Sequence, residues 1–220
     1  RVFVDTETTA KKISQYYGVD PARIVPTGLI FKTETIKYEP RIVEDEFQGK
    51  LFFLYPAQLW PHKRHALLFN AFAQLRDKHP DISLVLTGSD KGNRSHLEQL
   101  RDNLGLTDSI HFLGFVSDER LSSLMQHAHC LVFPSSLGPS NLPPLEAAVL
   151  GTPSLISSVH HDPALENRLI TVVPQQSVDA WVNAMSATLT DEKIVREPVS
   201  LLTINISEVV STALYSFSES

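Results

Sequence analysis

The sequence predicts an α/β fold of the Rossmann-like class, a parallel sheet with helices on both faces. Short apolar runs of strand length alternate along the chain with longer segments whose apolar residues recur at helical spacing. Turn residues separate the two kinds of segment, and this alternation is typical of β-α-β units. The chain of 220 residues is long enough to bury a sizeable core. We therefore expect ligands to bind beyond the carboxyl ends of the strands.

The predicted elements follow one another from residue 50 onward. Apolar content predicts strands at 50–56, 82–89, 109–116, 130–135, 153–157 and 170–174. The spacing of apolar residues predicts helices at 62–80, 94–106, 117–129, 143–151 and 177–191. Pro80 ends the first of these helices, Gly105 is a C-cap of the second, and Ser117 is an N-cap of the third. The start and stop signals therefore agree with the periodicity.

The first 40 residues differ from the rest and predict the end of a separate domain followed by a linker. The stretch "TETTAKKISQYYG" predicts a helix that ends at Gly18, and a polar, acidic stretch begins at Lys37. We place the boundary so that 1–40 end the first domain and 41–220 form the second. An apolar stripe in the tail, at residues 202, 206, 209, 210 and 214, predicts a closing helix.

Composition narrows the class of protein. The chain carries 19 basic and 25 acidic residues, a net charge of −6, which argues against a nucleic-acid-binding domain. The single cysteine, Cys130, lies in the apolar run "HCLVF" and is predicted to be a small buried side chain. No apolar run approaches the roughly 20 residues that span a bilayer. No signal peptide opens the chain. A cytoplasmic location is therefore expected.

Basic side chains cluster directly after the first strand of the second domain. In "QLWPHKRH", residues 58–65, Pro61 suits a helix start, and His62, Lys63, Arg64 and His65 are then expected in the first turn. Cations in that turn oppose the helix dipole at a cost of about 0.3–1 kcal/mol each. Such a sequence favours a bound anion, and a phosphate would gain from the helix amides and the lysine together. The alternative is that these side chains extend into solvent, and local physics leaves both open.

A second cluster lies in "PSSLGPSNLPPLEAAVLGTP", residues 134–153. Asn141 is expected to cap a helix, Pro143 and Pro144 to form its first turn, and Glu146 to lie in that turn. Backbone N–H groups of residues 138–142 and the positive end of the helix are suited to a diphosphate. The Glu146 carboxylate would then accept hydrogen bonds from two ribose hydroxyls. The alternative is a surface acid that only matches the helix dipole.

Three further stretches give weaker signals. In "TGSDKGN", Gly88 permits a close backbone approach to a ligand. In "FLGFVSDE", the backbone at Phe115 and Val116 is placed to contact a base edge. The stretch "VHHDP", residues 159–163, holds potential metal ligands, but adjacent residues rarely converge on one ion. We therefore predict no metal site.

Four stretches, in this order and spacing, resemble the C-terminal, donor-binding domain of the family 4 glycosyltransferases, which have the GT-B fold. They are "YPAQLWPHKRH", "LVLTGS", "IHFLGFVSDERL" and "LVFPSSLGPSNLPPLEAAVLGTPSLIS". The resemblance covers about residues 50–190. Residues 1–30 look like the last helix of the N-terminal domain and the crossover strand, and the rest of that acceptor-binding domain is absent.

The resemblance implies retaining transfer of a sugar from a nucleotide diphosphate sugar to a glycan or lipid-linked acceptor, as in polysaccharide biosynthesis. GDP-mannose is slightly favoured as the donor, from the resemblance to the family as a whole and not from particular residues. The donor is a substrate, and neither a cofactor nor an obligatory metal is implied. The expected partners are the donor, the acceptor and the missing N-terminal domain, with no nucleic acid. The resemblance also allows peripheral association with the inner face of a membrane.

The resemblance also assigns roles to residues. Lys63 would neutralise the diphosphate leaving group and Glu146 would bind the ribose hydroxyls, so these two are the expected catalytic residues. Phe115 and Val116 match the base-contacting segment, and Leu142 matches the phosphate-binding loop. The other expected donor-binding residues are Gln58, Arg64, Gly88, Ser89, Gly138, Ser140 and Asn141.

Departures from the family pattern leave two alternatives open. Gly138 stands where the first glutamate of the E-x7-E signature belongs, and Gln58 stands where the family has an arginine. Ser140 and Asn141 are candidates to replace the lost sugar contacts, and Arg64 to replace the lost cation. One alternative is a degenerate, non-catalytic GT-B domain that acts as a binding module, and the other is a related sugar-nucleotide epimerase. A dinucleotide dehydrogenase is disfavoured because no G-x-G-x-x-G follows a strand.

Overall fold

The structure, a computed structural model, describes residues 1–4, 6–26, 47, 49–137, 142–158, 169–174, 177–190 and 196. The chain divides into two compact units. The described residues up to Pro26 belong to the first unit, and those from Phe47 onward belong to the second. The predicted boundary at residue 40 and the predicted closing helix of the tail lie outside the described residues, so both stay predictions.

The first unit contains a β-α-β arrangement. Its elements are β1 (Val2–Val4), α1 (Glu7–Tyr17), a 3₁₀ turn (Pro21–Arg23) and β2 (Ile24–Pro26). The two strands pair in parallel. The Thr6 hydroxyl accepts a hydrogen bond from the Thr9 N–H at 3.1 Å and caps the start of α1. Gly18 follows the helix with a φ of 65°, so the predicted helix and its glycine stop are confirmed.

The second unit is built on a sheet of six strands. They are β3 (Phe52–Pro56), β4 (Ser83–Thr87), β5 (Ile110–Gly114), β6 (Cys130–Phe133), β7 (Ser154–Ser157) and β8 (Ile170–Val173). The order across the sheet is β5-β4-β3-β6-β7-β8, and all neighbouring strands are parallel. The predicted parallel α/β sheet is therefore confirmed, with each strand inside its predicted range.

Among the described residues, five helices flank this sheet. They are α2 (His65–Arg76), α3 (Arg94–Asn103), α4 (Asp118–His127), α5 (Leu142–Val149) and α6 (Val178–Thr190). The helix α2 packs against α3 and α6, and α5 packs against β6 and β7. Gly105, with a φ of 68°, closes α3, because the N–H groups of Gly105 and Leu106 return to carbonyls of the last turn. The Ser117 hydroxyl accepts from the Arg120 N–H at 3.3 Å, so the predicted cap of α4 is confirmed.

The core explains why the strands read as continuous apolar runs. Every residue of β3, β4 and β6 is buried, as expected for parallel strands covered on both faces. The helix α2 buries Leu68, Phe69, Phe72 and Leu75, a stripe at helical spacing. Cys130 is fully buried as predicted, and burial raises the pKa of its thiol to about 12.

The strand order also locates the crevice of the sheet. The chain runs outward from β3 through β4 to β5 and then returns to place β6 on the other side of β3. The strand order thus reverses between β3 and β6, and the crevice at such a reversal, beyond the carboxyl ends of the strands, is where parallel α/β sheets bind ligands. The ladder between these strands pairs Phe53 with Cys130 and Leu54 with Leu131. Beyond it, the rings of Tyr55 and Phe133 meet edge to face at 5.7 Å.

Candidate functional site

The loop after β3 does not lead straight into a helix. Pro61–Lys63 form a 3₁₀ turn, Arg64 follows in the left-handed region with φ 55° and ψ 36°, and α2 begins only at His65. The prediction that Lys63 and Arg64 lie in the first turn of the helix is therefore wrong. Because Arg64 leaves the right-handed path, Lys63 lies in a separate turn in front of α2.

Lys63 lies at the junction of the loops after β3 and β6. Its Nζ donates to the carbonyl oxygen of Leu137 at 3.4 Å and lies 5.2 Å from the centre of the Phe133 ring. Its own carbonyl oxygen accepts a hydrogen bond from the hydroxyl of Tyr55 at 2.7 Å. The side chain is half-buried, and burial lowers its pKa. The crevice thus holds a cation that is partly removed from water.

Two serines of the loop after β6 form hydrogen bonds beside Lys63, and one of them reaches the loop after β3. The backbone N–H and the hydroxyl of Ser136 both donate to the carbonyl oxygen of His62, at 2.9 and 3.0 Å. The hydroxyl of the buried Ser135 donates to the carbonyl oxygen of Leu137 at 2.6 Å. The position of Lys63 relative to the loop after β6 is therefore fixed by hydrogen bonds. Both serines lie in the stretch 134–153, but nothing in the sequence marked them as site residues.

His65 lies beneath the turn and is not one of the predicted exposed cations. Only 1% of its surface is exposed, and its ring centre lies 4.8 Å from that of Tyr55. Neither ring nitrogen has a hydrogen-bond partner among the described residues. Burial, and secondarily the charge of Lys63, lower the pKa of His65 from 6.5 to about 4. The imidazole is therefore neutral at pH 7, which corrects the expectation of four cationic side chains.

The second cluster is described from Leu142 onward. Helix α5 begins there, so Pro143 and Pro144 lie in its first turn as predicted. Glu146 is the fifth residue of the helix, and the prediction that it lies in the first turn is wrong by one residue, because the helix starts before the prolines. Burial, and secondarily the charge of Asp118, raise the pKa of the half-buried Glu146 carboxyl. The candidates Gly138, Ser140 and Asn141 lie outside the described residues, so their roles stay predictions.

Gly88 and Ser89 hold the loop after β3 against the loop after β4. Gly88 has a φ of 124°, and a Cβ at this position would lie 2.4 Å from the carbonyl oxygen of Ala57. The N–H of Leu59 donates to the carbonyl oxygen of Ser89 at 3.1 Å. The sequence analysis expected a ligand to approach the backbone closely at Gly88. In the structure the close approach is made by the backbone of Ala57.

The remaining candidates lie at the same edge of the sheet. Phe115 and Val116 follow the end of β5, and Phe115 is 81% exposed whereas Val116 is 8% exposed. Gln58 is exposed, and its Oε1 accepts a hydrogen bond from the indole N–H of Trp60 at 2.9 Å. Tyr55 and Trp60 were missed by the sequence analysis, because an aromatic residue in or beside an apolar strand gives no separate signal.

Two features are absent from the described part of the chain. Within it, no group of three or more His, Cys, Asp or Glu side chains is placed to hold a metal ion. The histidines of 159–163 are not among these residues. None of the helices described here combines the length and the apolar character needed to cross a membrane.

Comparisons with known proteins agree with one another. The family model described as "Glycosyl transferases group 1" matches residues 38–199. The uncharacterized glycosyltransferase YqgM of Bacillus subtilis is 28% identical over 180 residues, which cover 78% of this chain and 45% of that protein. The D-inositol 3-phosphate glycosyltransferase of Gordonia bronchialis is 27% identical over 203 residues, which cover 86% of this chain and 44% of that protein. The chain spans less than half the length of either relative.

A solved structure shows the same fold. The Anabaena protein Alr3699/HepE, in a crystal structure with UDP and glucose, matches with a TM-score of 0.80 at 17% identity. The match covers 100% of this chain and 63% of that one. At this level of identity the likeness establishes the fold.

Proposed function

The chain belongs to the group 1 glycosyl transferases, and from that membership we propose that it is the donor-binding half of a retaining enzyme. The donor is a nucleotide diphosphate sugar, with GDP-mannose slightly favoured on family grounds. The acceptor is a glycan or a lipid-linked sugar. Because the chain spans less than half the length of its relatives, acceptor binding is assigned to a domain outside this sequence.

One observation carries the proposal: the half-buried ammonium of Lys63 lies in the crevice between β3 and β6. Its Nζ reaches the carbonyl oxygen of Leu137, five residues before α5 begins. A crevice at the reversal of strand order is where parallel α/β sheets bind ligands. A cation there, close to the segment leading into a helix N-terminus, is suited to a diphosphate.

The chemistry needs charge stabilisation more than proton transfer. The bond between the anomeric carbon and the diphosphate oxygen breaks, its electron pair stays on the diphosphate, and a new bond forms from the same carbon to an acceptor oxygen. Lys63 stabilises the negative charge that develops on the leaving group. Its partial removal from water strengthens that interaction, because the local dielectric is lower than in bulk solvent.

Glu146 is proposed to orient the donor. A carboxylate accepts hydrogen bonds only, so the two hydroxyls of a ribose match its oxygens. Burial raises its pKa in the absence of ligand, and hydroxyl donors would favour the charged form again. Phe115 and Val116 would contact the base, and the segment from residue 138 to Leu142 would contact the phosphates.

A thermal melt against saturating GDP, UDP, dTDP and ADP, each tested separately, examines the proposal. A nucleotide present at 100 times its dissociation constant adds about 2.7 kcal/mol of stability. That increment raises the midpoint by about 5–10 °C for a chain of this size. A shift with one nucleotide supports the proposal and identifies the base. The absence of any shift with all four contradicts donor binding by this chain.

A further inference from the structure

Trp60 connects two of the candidate donor-binding residues through three hydrogen bonds. Its backbone N–H donates to the carbonyl oxygen of Gln58 at 2.8 Å, and its indole N–H donates to Oε1 of the same residue at 2.9 Å. Its carbonyl oxygen accepts from the backbone N–H of Lys63 at 3.0 Å. A tryptophan thus lies at the centre of the loop between Gln58 and Lys63 and touches both.

The chemistry of the indole fixes which way the Gln58 amide faces. An indole N–H is a donor and has no acceptor, so the atom of Gln58 that meets it must be the oxygen. The amide nitrogen is then directed away from Trp60 with both of its hydrogens. No described residue accepts a hydrogen bond from this nitrogen, and the side chain is exposed. Two N–H groups are therefore available to a ligand on the loop that carries Lys63.

Ring contacts keep the indole in place. The rings of Trp60 and His62 stack, with centres 6.2 Å apart and an angle of 19° between their planes. The ammonium of Lys91 lies 5.9 Å from the centre of the Trp60 ring. The tryptophan is 41% exposed, yet it has neighbours on the loops after β3 and β4. Its N–H direction is consequently set by more than one contact.

We propose that Trp60 is a positioning residue that turns the Gln58 amide N–H groups toward the diphosphate of the donor. This inference rests on the proposed function, because it requires a diphosphate beside Lys63. A neutral amide with two donors then serves at the position where the family has an arginine. The Trp60 side chain acts through Gln58 and itself needs no contact with the donor.

A double-mutant cycle tests the inference on the intact chain. Dissociation constants for GDP, UDP, dTDP and ADP are measured by calorimetry for wild type, W60F, Q58A and W60F/Q58A. The loss of one oriented hydrogen bond predicts about a fivefold weaker affinity for the bound nucleotide in each single variant. Because both variants remove the same hydrogen bond, the double variant is expected to bind no more weakly than Q58A. A structural role for Trp60 independent of Gln58 would instead weaken the double variant further.

Two additional variants keep the result interpretable. Q58E retains an oxygen for the indole N–H and replaces the amide donors with a negative charge, so it is expected to lose more than fivefold affinity. Y16F, which changes an exposed aromatic residue of the first unit, is expected to bind as wild type does. Wild-type affinity in W60F and Q58A would overturn the inference and leave donor binding intact. Wild-type affinity in K63A, or no binding by wild type, would instead overturn the proposed function.

Discussion

The hydroxyl of Tyr55 donates a hydrogen bond to the backbone carbonyl oxygen of Lys63 over 2.7 Å, from a side chain with no exposed surface. Tyr55 belongs to β3, so the turn that carries the lysine is fastened to the central strand of the sheet. Burial holds the pKa of the Tyr55 hydroxyl well above its ordinary value, which keeps the proton on the donor. The buried core therefore fixes the position of the Lys63 backbone.

Removing this hydroxyl in Y55F is expected to lower the free energy of unfolding by about 1–2 kcal/mol, because a partly buried carbonyl loses its donor. Urea denaturation measures the change. The matched control is Y16F, since Tyr16 is 73% exposed and its hydroxyl removal should have little effect. Equal stability of Y55F and wild type would show that the Lys63 carbonyl is satisfied without Tyr55.

His65 predicts a pH dependence of stability. Its pKa in the fold is about 4 and its ordinary value is 6.5, so the unfolded chain takes up a proton before the fold does. Stability is therefore fully present above about pH 6.5, falls as the pH drops, and levels off below about 4. The loss attributable to this group is about 3 kcal/mol.

The contribution of His65 can be separated from those of other groups by H65F, which keeps a ring against Tyr55 and removes the titration. The stability difference between wild type and H65F is expected to change by about 3 kcal/mol between pH 7 and pH 4. Urea denaturation at each pH gives this difference. H96Q, which replaces an exposed histidine, serves as the control substitution. A constant difference would mean that His65 titrates normally in the fold.

Arg64 is the one described non-glycine residue with a positive φ. This conformation costs a residue with a side chain about 1–2 kcal/mol, and glycine would avoid that cost. Glycine also loses more backbone entropy on folding, which offsets part of the benefit. R64G is therefore expected to be more stable than wild type by about 0.5–1 kcal/mol in urea denaturation. R64V is expected to be less stable than wild type, because a β-branched residue tolerates this region poorly. A destabilised R64G would indicate that the arginine side chain makes contacts that outweigh the strain.

Replacing Gly88 is expected to cause a large loss of stability. In G88A the new Cβ would lie 2.4 Å from the Ala57 carbonyl oxygen at a φ of 124°, so the loops after β3 and β4 would have to separate. We expect a loss of about 3 kcal/mol or more in urea denaturation. In the control G105A, no atom lies within 4 Å of the new Cβ and φ is 68°, so the expected loss is about 1–2 kcal/mol. Similar losses in both variants would contradict the steric argument.

The two residues assigned to the donor predict a loss of binding. K63A and E146A are each expected to weaken the affinity for the bound nucleoside diphosphate at least tenfold, because each removes a charged partner. Calorimetry on the folded variants measures the affinity, and their melting temperatures show whether folding is intact. K78A changes an exposed lysine beyond the end of α2 and should leave the affinity unchanged. Unchanged affinity in both K63A and E146A would refute the site assignment.

The order of strands and helices was predicted well, because apolar runs and the spacing of apolar residues are local properties of the sequence. An apolar run of the length of Phe52–Pro56, set between helical segments, favours a buried strand. Gly105 was predicted as the C-cap of α3, and in the structure it follows the C-cap Leu104 with a positive φ. Each strand lies inside its predicted range because turn residues and helical segments bound the apolar runs.

The details of the site depended on information that sequence spacing does not carry. Pro61 is a valid helix start, yet here it begins a 3₁₀ turn, because Arg64 takes up a conformation that no local preference of arginine favours. His65 appeared as an exposed cation, but tertiary packing against Tyr55 buries it and keeps it neutral. The Lys63 ammonium donates to the carbonyl oxygen of Leu137, 74 positions further along the chain, so only the folded chain brings these two groups together.

The short ladder between β3 and β6 has a mechanical consequence. It pairs two residues of each strand, whereas the ladder between β3 and β4 pairs five, so this seam is the shorter of the two. A molecule held by the loops on both sides would add contacts across the seam and slow amide hydrogen exchange in the strands that border it. Binding in the crevice would thus be detected as slower amide exchange in β3 and β6, the two central strands in the protein interior.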